Sequence, residues 1–461
     1  MRRANWIYAV AAALVLISGV SGAGAATHYN RFLSALRSSP AASAKAKAYV
    51  SRRTTRRVTT TTKPKVVVVT TTTAKATTTT KVTTTTKAPV TTTTAAPVNN
   101  PVVPPAPPAP PAPPAPTCSG RAMVNGQSDI DAAPAGTTFC LSGTHNWRLA
   151  PKSGDQLIGP AVLDGGGSNT YAIEPGSATN VVLSGLEIRN YVPGNQHAAI
   201  ATNNAATGWV LQNLQVHDNG NASGGDGVNV GIGWQVLGGR YYNNRQAGLI
   251  DGIGVNAVIN GAEIDHNNFR DNSYTARNID CGTEAGGFKW IANNVSVLNA
   301  VVHDNACAGL WMDVHSHTAT ISNNRVYNNW DEGILIEIST GAQITGNTVY
   351  GNGFKSFRGS CATLWVFGAG IMLSESDGTT VANNTVSGNC NGITGAQENR
   401  PPGSDGTLQN DSFHDNTVSG PGGKTGVGSY PNISLAGRNI TFANNAISGG
   451  MTFCGLTCNS L

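Results

Sequence analysis

Short runs of alternating apolar and polar residues, punctuated by Gly and Asn, return at a near-constant interval from about residue 180 to the C-terminal end. Ten segments (NVVLSGLEIRN, GWVLQNLQVHDN, GWQVLGGRYYNN, NAVINGAEIDHN, NVSVLNAVVHDN, TATISNNRVYNN, GAQITGNTVYGN, GTTVANNTVSGN, GTLQNDSFHDN and NITFANNAISGG) superimpose with one apolar residue in register in each. Those residues are Leu183, Leu211, Val236, Ile259, Val297, Ile321, Ile344, Val381, Leu408 and Phe442. The intervals are 28, 25, 23, 38, 24, 23, 37, 27 and 34 residues. A period-2 alternation of small and β-branched residues with Asn and Gly at the corners predicts short strands joined by tight turns, and the density of Gly and Asn excludes helix. A coil of this length buries its apolar residues only by stacking on the next coil, so the pattern predicts a parallel β-solenoid. Asn at a recurrent corner can stack in ladders, each amide bonded to the next, and tolerates the left-handed turn conformation.

One strand type carries acids. GLWMDV and GILIEI start 24 residues apart at Gly309 and Gly333 and set Asp313 and Glu337 at the same offset. Counted from the glycine, odd offsets face the core and even offsets face outward, which puts Trp311 and Asp313 beside Leu335 and Glu337 on the outer face. The neighbouring copies DGVNVG, AGLIDG, GGFKW, AGIMLSE and NGITGAQ add Asn229, Ile250, Lys289, Met372, Ser374 and Thr394 to that face, while Asp251 falls inward unless a bulge shifts it. The two longest intervals within the acid-bearing region hold insertions, FRDNSYTARNIDCGTEA and FKSFRGSCATLWVF, which bring Arg277, Glu284, Lys355, Arg358 and Trp365. Loops placed by a rigid scaffold are where binding residues gather, so these two are expected to wall a groove over Asp313 and Glu337.

The first quarter of the chain has a different composition. MRRANWIYAVAAALVLISGVSGAGAA reads as a secretory signal peptide over residues 1–25, with an uncleaved anchor as the alternative. Residues 26–117 are a Thr/Lys- and Pro-rich linker with too little apolar surface to fold. The 117 residues hold 15 of the 30 Lys and Arg and no acid, so residues 118–461 carry a net charge of −10. The folded part should avoid nucleic acid, and the basic linker is suited to contact with an anionic cell wall or membrane surface. All eight cysteines follow the linker, and nearest-neighbour pairing gives Cys118–Cys140, Cys281–Cys307, Cys361–Cys390 and Cys454–Cys458 in an oxidising compartment.

These repeats resemble the right-handed parallel β-helix proteins of the pectate-lyase-like superfamily, and IDAAPAGTTFCLSGTHNWRLAPKSGDQLIGPAVLDGGG is similar to the capping segment that leads into their first coils. The expected fold is all-β: a β-helix over residues 118–461 behind the signal peptide and disordered linker. The signal peptide implies a secreted or surface-associated protein, expected to be monomeric, and the resemblance implies an extracellular polysaccharide as its partner. It leaves three activities open: a polysaccharide lyase or epimerase on an acidic polysaccharide, a glycoside hydrolase using the Asp313/Glu337 pair, or noncatalytic glycan binding. In the lyase reading Lys289 is the base and Asp313 and Glu337 hold Ca²⁺, because two carboxylates about 5 Å apart repel by about 3 kcal/mol at an effective dielectric near 20 and need either a proton or a cation between them. Trp311 is expected as a stacking platform for a sugar ring, with His315, Arg277, Lys355, Arg358 and Glu375 as further substrate contacts. Neither a polygalacturonase-like aspartate pair on one strand nor a pectate-lyase vWiDH-type signature is present, so no catalytic residue transfers directly. His315 and His317, in VHSH, are spaced to bind a metal as in periplasmic copper-associated β-helix proteins, though without a third ligand. His217, His303 and His414 read as one recurrent corner position, and Trp330 as corner packing.

Overall fold

Each corner is set by a pair of residues, the first left-handed and the second turning its side chain inward. Asp218, Asn243, Asp304, Asn323, Asn328 and Asn383 have φ between 51° and 57°, and each precedes an Asn whose amide is buried. The computed structural model describes residues 118–174, 176–400, 406–420, 422–429 and 433–455. The expected leader and linker lie outside them, as does Cys458 of the expected Cys454–Cys458 pair.

Within the described residues the chain is a right-handed parallel β-helix. Strands form a 23-stranded and a 10-stranded sheet, and every pairing of one strand with another is parallel. One α-helical turn, Gln127–Ala132, stands at the N-terminal end, with Ile130 fully buried in the same cluster as Phe139 and Leu141. The inward column runs in register from Leu157 through Leu183, Leu211, Val236, Ile259, Val297, Ile321, Ile344 and Val381. Each of these side chains is removed from solvent, which stabilises the fold by roughly 1.5–3 kcal/mol apiece.

The next member of that column is Phe413 rather than Leu408. Phe413 pairs with Val381 and with Phe442, and Leu408 faces the core from the preceding turn beside Gln409, which bridges to Asp377. The segment GTLQNDSFHDN offers two apolar residues of opposite parity, and alternation alone does not choose between them. The same shift separates His414 from His217 and His303. His217 and His303 share one column, stacked on Tyr242 and Tyr327 at 4.5 and 4.6 Å, whereas His414 lies on the other strand beside Ala382 and Ala443.

Two asparagine ladders line the corners. In Asn219, Asn244, Asn267, Asn305, Asn329, Asn352 and Asn389 each Nδ2 donates to the next Oδ1 at 2.9–3.1 Å. The second ladder, Asn324, Asn347, Asn384, Asn416 and Asn445, is bonded the same way at 2.9–3.0 Å. Each amide also bonds backbone, as Asn329 Nδ2 does with Val302 O, so buried polar groups at the corners are satisfied. The glycine that opens GLWMDV makes room for this: a Cβ on Gly309 would lie 2.7 Å from Asn329 Nδ2 and 2.7 Å from Gly333 O.

Candidate functional site

The outer face of the ten-stranded sheet has the register expected of it. Asn229, Ile250, Lys289, Trp311, Leu335, Met372 and Thr394 form one column. Two residues further on, Glu337 pairs with Ser374, and Asp313 follows Met312, the partner of Ile336, which puts the two acids side by side on successive coils. Asp251 points inward, in register with Trp290, and its Oδ1 accepts from Ile253 N at 3.1 Å and from Gly254 N.

The insertions close over this face. Trp365 and Val366 of the second insertion pack on Trp311, Leu335 and Met372 as a second apolar cluster outside the helix core. The loop is tied down by the Cys361–Cys390 disulfide and by hydrogen bonds that include Thr394 Oγ1 to Val366 O at 2.7 Å, Asn391 Nδ2 to Phe367 O at 2.8 Å and Gly368 N to Glu332 Oε1 at 2.8 Å. The first insertion is held by Cys281–Cys307 and by Asn278 Nδ2 on Arg245 O at 2.8 Å. Cys118–Cys140 forms as expected too. Trp311 is therefore 9 % exposed, and the open stacking platform expected of it is occupied by protein.

Under the lid lies a chain of charges. Lys289 Nζ sits 2.7 Å from Asp313 Oδ2, 3.2 Å from Glu284 Oε1 and 3.8 Å above the Trp311 ring. Glu337 is bonded to Arg400, whose Nε lies 2.7 Å from Glu375 Oε2 and whose Nη2 lies 3.2 Å from Glu398 Oε1 and 3.1 Å from Ser374 Oγ. Lys289, Asp313, Glu337 and Glu375 are all under 9 % exposed. The two carboxylates expected to share Ca²⁺ thus each hold a cation of the chain, an ammonium on Asp313 and a guanidinium on Glu337.

Burial and charge set the protonation states. Burial opposes the Lys289 ammonium, but Asp313 and Glu284 outweigh it and its pKa is raised. Burial, followed by Lys289 pulling the other way and Glu337 repelling, leaves the Asp313 carboxyl raised. For Glu337 burial also raises, yet Arg400, with help from Arg358 and Lys289, brings the net shift below the ordinary carboxylate value. Glu375 is pushed up to about 7 by burial against the opposing pull of Arg400.

Other expected contacts fall outside the cluster. His315 stands exposed on the turn after Asp313. Arg277, Lys355 and Arg358 lie on the outer side of the insertions around Trp330, which is half-buried against Phe269 with ring centroids 5.1 Å apart. Arg400 and Glu398 were not anticipated from sequence. The only signal for them is the charged ENR that follows the NGITGAQ copy directly.

A family model described as "Periplasmic copper-binding protein (NosD)" matches residues 219–452. Among solved structures, the A-module of the mannuronan C-5 epimerase AlgE6 from Azotobacter vinelandii is similar at 15% identity and TM-score 0.46, covering 73% of this chain and 94% of that one. The periplasmic alginate epimerase AlgG is similar at 11% identity and TM-score 0.36 (69% and 82%), and pectate lyase Pel9A at 13% and 0.34 (71% and 71%). At these values they carry no inference about chemistry. No curated protein sequence matches the chain.

Copper, which the family description implies, does not fit the donors present among the described residues. Asp265, His266 and His303 bring ligand atoms within 4.8 Å of one another. Asp265, however, accepts from Arg240 at 2.8 and 2.7 Å and contacts His266 at 2.6 Å. Burial lowers the His303 pKa, but bonds to Asp304 and Glu263 outweigh it and lift it to about 9, so at neutral pH the ring is an imidazolium with no lone pair to give. Cys281 and Cys307, grouped with Asp331, are spent in a disulfide. His317 Nδ1 contacts Thr340 Oγ1, and no third donor joins it and His315 among the described residues. The family match itself runs through the coils that carry the ladders, the lid and the charge cluster, over just more than half of the 461 residues, and by it this chain belongs to the NosD family of β-helix proteins.

Proposed function

We propose that the protein is an extracytoplasmic, carbohydrate-active β-helix protein and that the Lys289–Asp313–Glu337–Arg400 cluster acts on an acidic polysaccharide by elimination or epimerisation at a uronate. The observation that carries this is the interleaving of two cations, Lys289 buried and Arg400 partly buried, with two acids of opposite pKa displacement on adjacent coils. Perturbed titratable groups gathered under loops mark functional sites more often than bare surface does. Three disulfides suit an oxidising compartment.

In this reading Lys289, whose pKa is raised, acts as a cation rather than as the base. With Arg400 it neutralises the uronate carboxylate, which acidifies the neighbouring C5–H. Glu337, kept ionised, takes that proton. Asp313, whose pKa burial already raises, takes up a proton from solvent once the uronate draws Lys289 away from it, and donates that proton to the departing O4 as the C4–O4 bond breaks and the C4=C5 bond forms, or in epimerisation a proton returns to C5 from the opposite face. Lys289 is 3 % exposed, so a polymer enters only when the insertion carrying Trp365 swings off the face. Hydrolysis is the second reading. It is favoured by the opposite displacement of Asp313 and Glu337 taken alone, on strands about 4.8 Å apart, near the roughly 5–5.5 Å separation of a retaining pair.

Incubation with polyuronates followed by near-ultraviolet absorbance, reducing-end titration and proton NMR separates the readings. Elimination gives an unsaturated sugar, epimerisation an altered uronate ratio, hydrolysis reducing ends alone. Glu337→Gln should abolish product while the variant still unfolds cooperatively, since Arg400 keeps Glu375 and Glu398 as partners; turnover in that variant at the parent rate would sink the assignment.

A further inference from the structure

The two insertions, 78 residues apart where they touch, make one surface. Arg277 Nη2 of the first donates to Lys355 O of the second at 3.0 Å. Around that joint cations and rings alternate. The Arg277 guanidinium lies 5.4 Å from the Trp330 ring and 5.7 Å from Phe357, and Lys355 Nζ lies 4.9 Å from Trp330. Arg358 lies 4.7 Å from Phe357 and 4.1 Å from Phe367. Two phenylalanines of the second insertion, Phe354 and Phe357, are 51 % and 42 % exposed.

Two facts distinguish this patch from ordinary surface charge. Lys289 and Arg400 are locked in ion pairs, but among the described residues no carboxylate comes within ion-pair distance of Arg277, Lys355 or Arg358. The three are held instead by ring faces and a backbone carbonyl, which fix their position without a direct ion pair, within a folded part of net charge −10; the acids they act on, Asp331 with Arg277 and Arg358 and Glu337 with Arg358, are buried beneath them rather than on the surface. Between the strands that the insertions lead into, Gly286–Trp290 and Ala369–Ser374, lie three coil steps, or about 14 Å. That length suits several units of an extended polymer rather than one small ion. The patch also runs toward the buried cluster, since Arg358 is close enough to Glu337 to lower its pKa.

We propose that this composite surface is a binding subsite for an anionic polysaccharide, the cations taking its carboxylate or sulfate groups and the exposed ring edges and faces its pyranose rings. It deepens the reading above by naming where the polymer is gripped, and it rests on that reading only for the direction in which the chain runs; the binding itself is an independent claim.

The test is binding rather than turnover. The full chain and a Lys355→Glu/Arg358→Glu variant, both on the exposed side of the loop, are compared by affinity electrophoresis and calorimetry against polygalacturonate, a sulfated dextran and unmodified dextran, at low and high salt. The expected result is salt-sensitive binding of an anionic polymer, weakened about tenfold or more in the double variant at unchanged melting temperature, with no retention by dextran. The polygalacturonate and sulfated-dextran arms decide which anion is preferred. Undiminished binding in the double variant, equal retention by neutral dextran, or no binding of either anionic polymer overturns the proposal. Parent and Glu337→Gln proteins that bind alike but yield no product would remove the proposed reaction and leave this subsite standing. A Phe357→Ala variant that weakens binding without altering its salt dependence would support the aromatic contribution.

Discussion

Replacing Lys289 by Met keeps the length of the side chain on Trp311 and removes the ammonium between Asp313 and Glu284. At 2.7 Å a unit pair interacts by about 6 kcal/mol at an effective dielectric near 20, before the cost of burying both ions is set against it. Removing one partner of a buried pair costs about 3–5 kcal/mol, because the other charge stays buried without compensation. Glu284 adds little, since its side chain is 30% exposed and screened. The penalty depends on pH with a definite sign. The Asp313 carboxyl already stands above its ordinary value, through burial first, with Lys289 pulling it back. Without Lys289 it rises further, and a carboxyl whose folded pKa exceeds its unfolded one destabilises the fold progressively as pH climbs above the unfolded value. At pH 5, roughly one unit above that value, the cost is about 1–2 kcal/mol, and by pH 8 it reaches the full 3–5 or so. At about 2 °C per kcal/mol for a domain of this size, Lys289→Met should lower the melting temperature by about 2–4 °C at pH 5 and about 6–10 °C at pH 8. Scanning calorimetry of parent and variant at the two pH values reads this directly. An equal loss at both, or a loss under about 2 °C at pH 8, would refute the view that Asp313 depends on Lys289 for its charge.

Two further substitutions test the corners. Asn329→Ala removes an amide that accepts from Asn305 N and Nδ2 and donates to Val302 O and Asn352 Oδ1, leaving buried partners unsatisfied; a loss of about 3–5 kcal/mol in urea unfolding is expected, with hydrogen exchange accelerated mainly in the adjoining coils, and a loss below about 1 kcal/mol would deny the ladder its role. Gly309→Ala sets a Cβ against Asn329 Nδ2 and Gly333 O, so it should cost about 1–3 kcal/mol by the same assay although Ala is the better strand former in the abstract; a neutral result would mean that the corner gives way.

The sequence by itself determined the coil. Stacking repeats interact only with their neighbours, so period-2 alternation, the recurring Asn pairs and the spacing near 24 residues were enough to place Leu183 to Val381 in one buried column, Lys289, Trp311 and Leu335 in another, and three disulfides between neighbouring corners. It failed locally at Leu408 against Phe413, where two apolar residues competed for one register position. What tertiary structure decided is whatever crosses several coils. An insertion has no period, and nothing in FKSFRGSCATLWVF says that Trp365 folds back onto Trp311 rather than standing as a wall. That choice rests on the apolar area available on the outer face, on Cys390 one coil further along, and on polar anchors such as Thr394. Arg400 lies 63 residues from Glu337 in sequence and meets it only because successive coils carry both to the same edge. The protonation states follow from the same long-range closure, since burial raises both acids and Arg400, carried to Glu337 from 63 residues away, is what brings that one back below the ordinary carboxylate value while Asp313 stays raised.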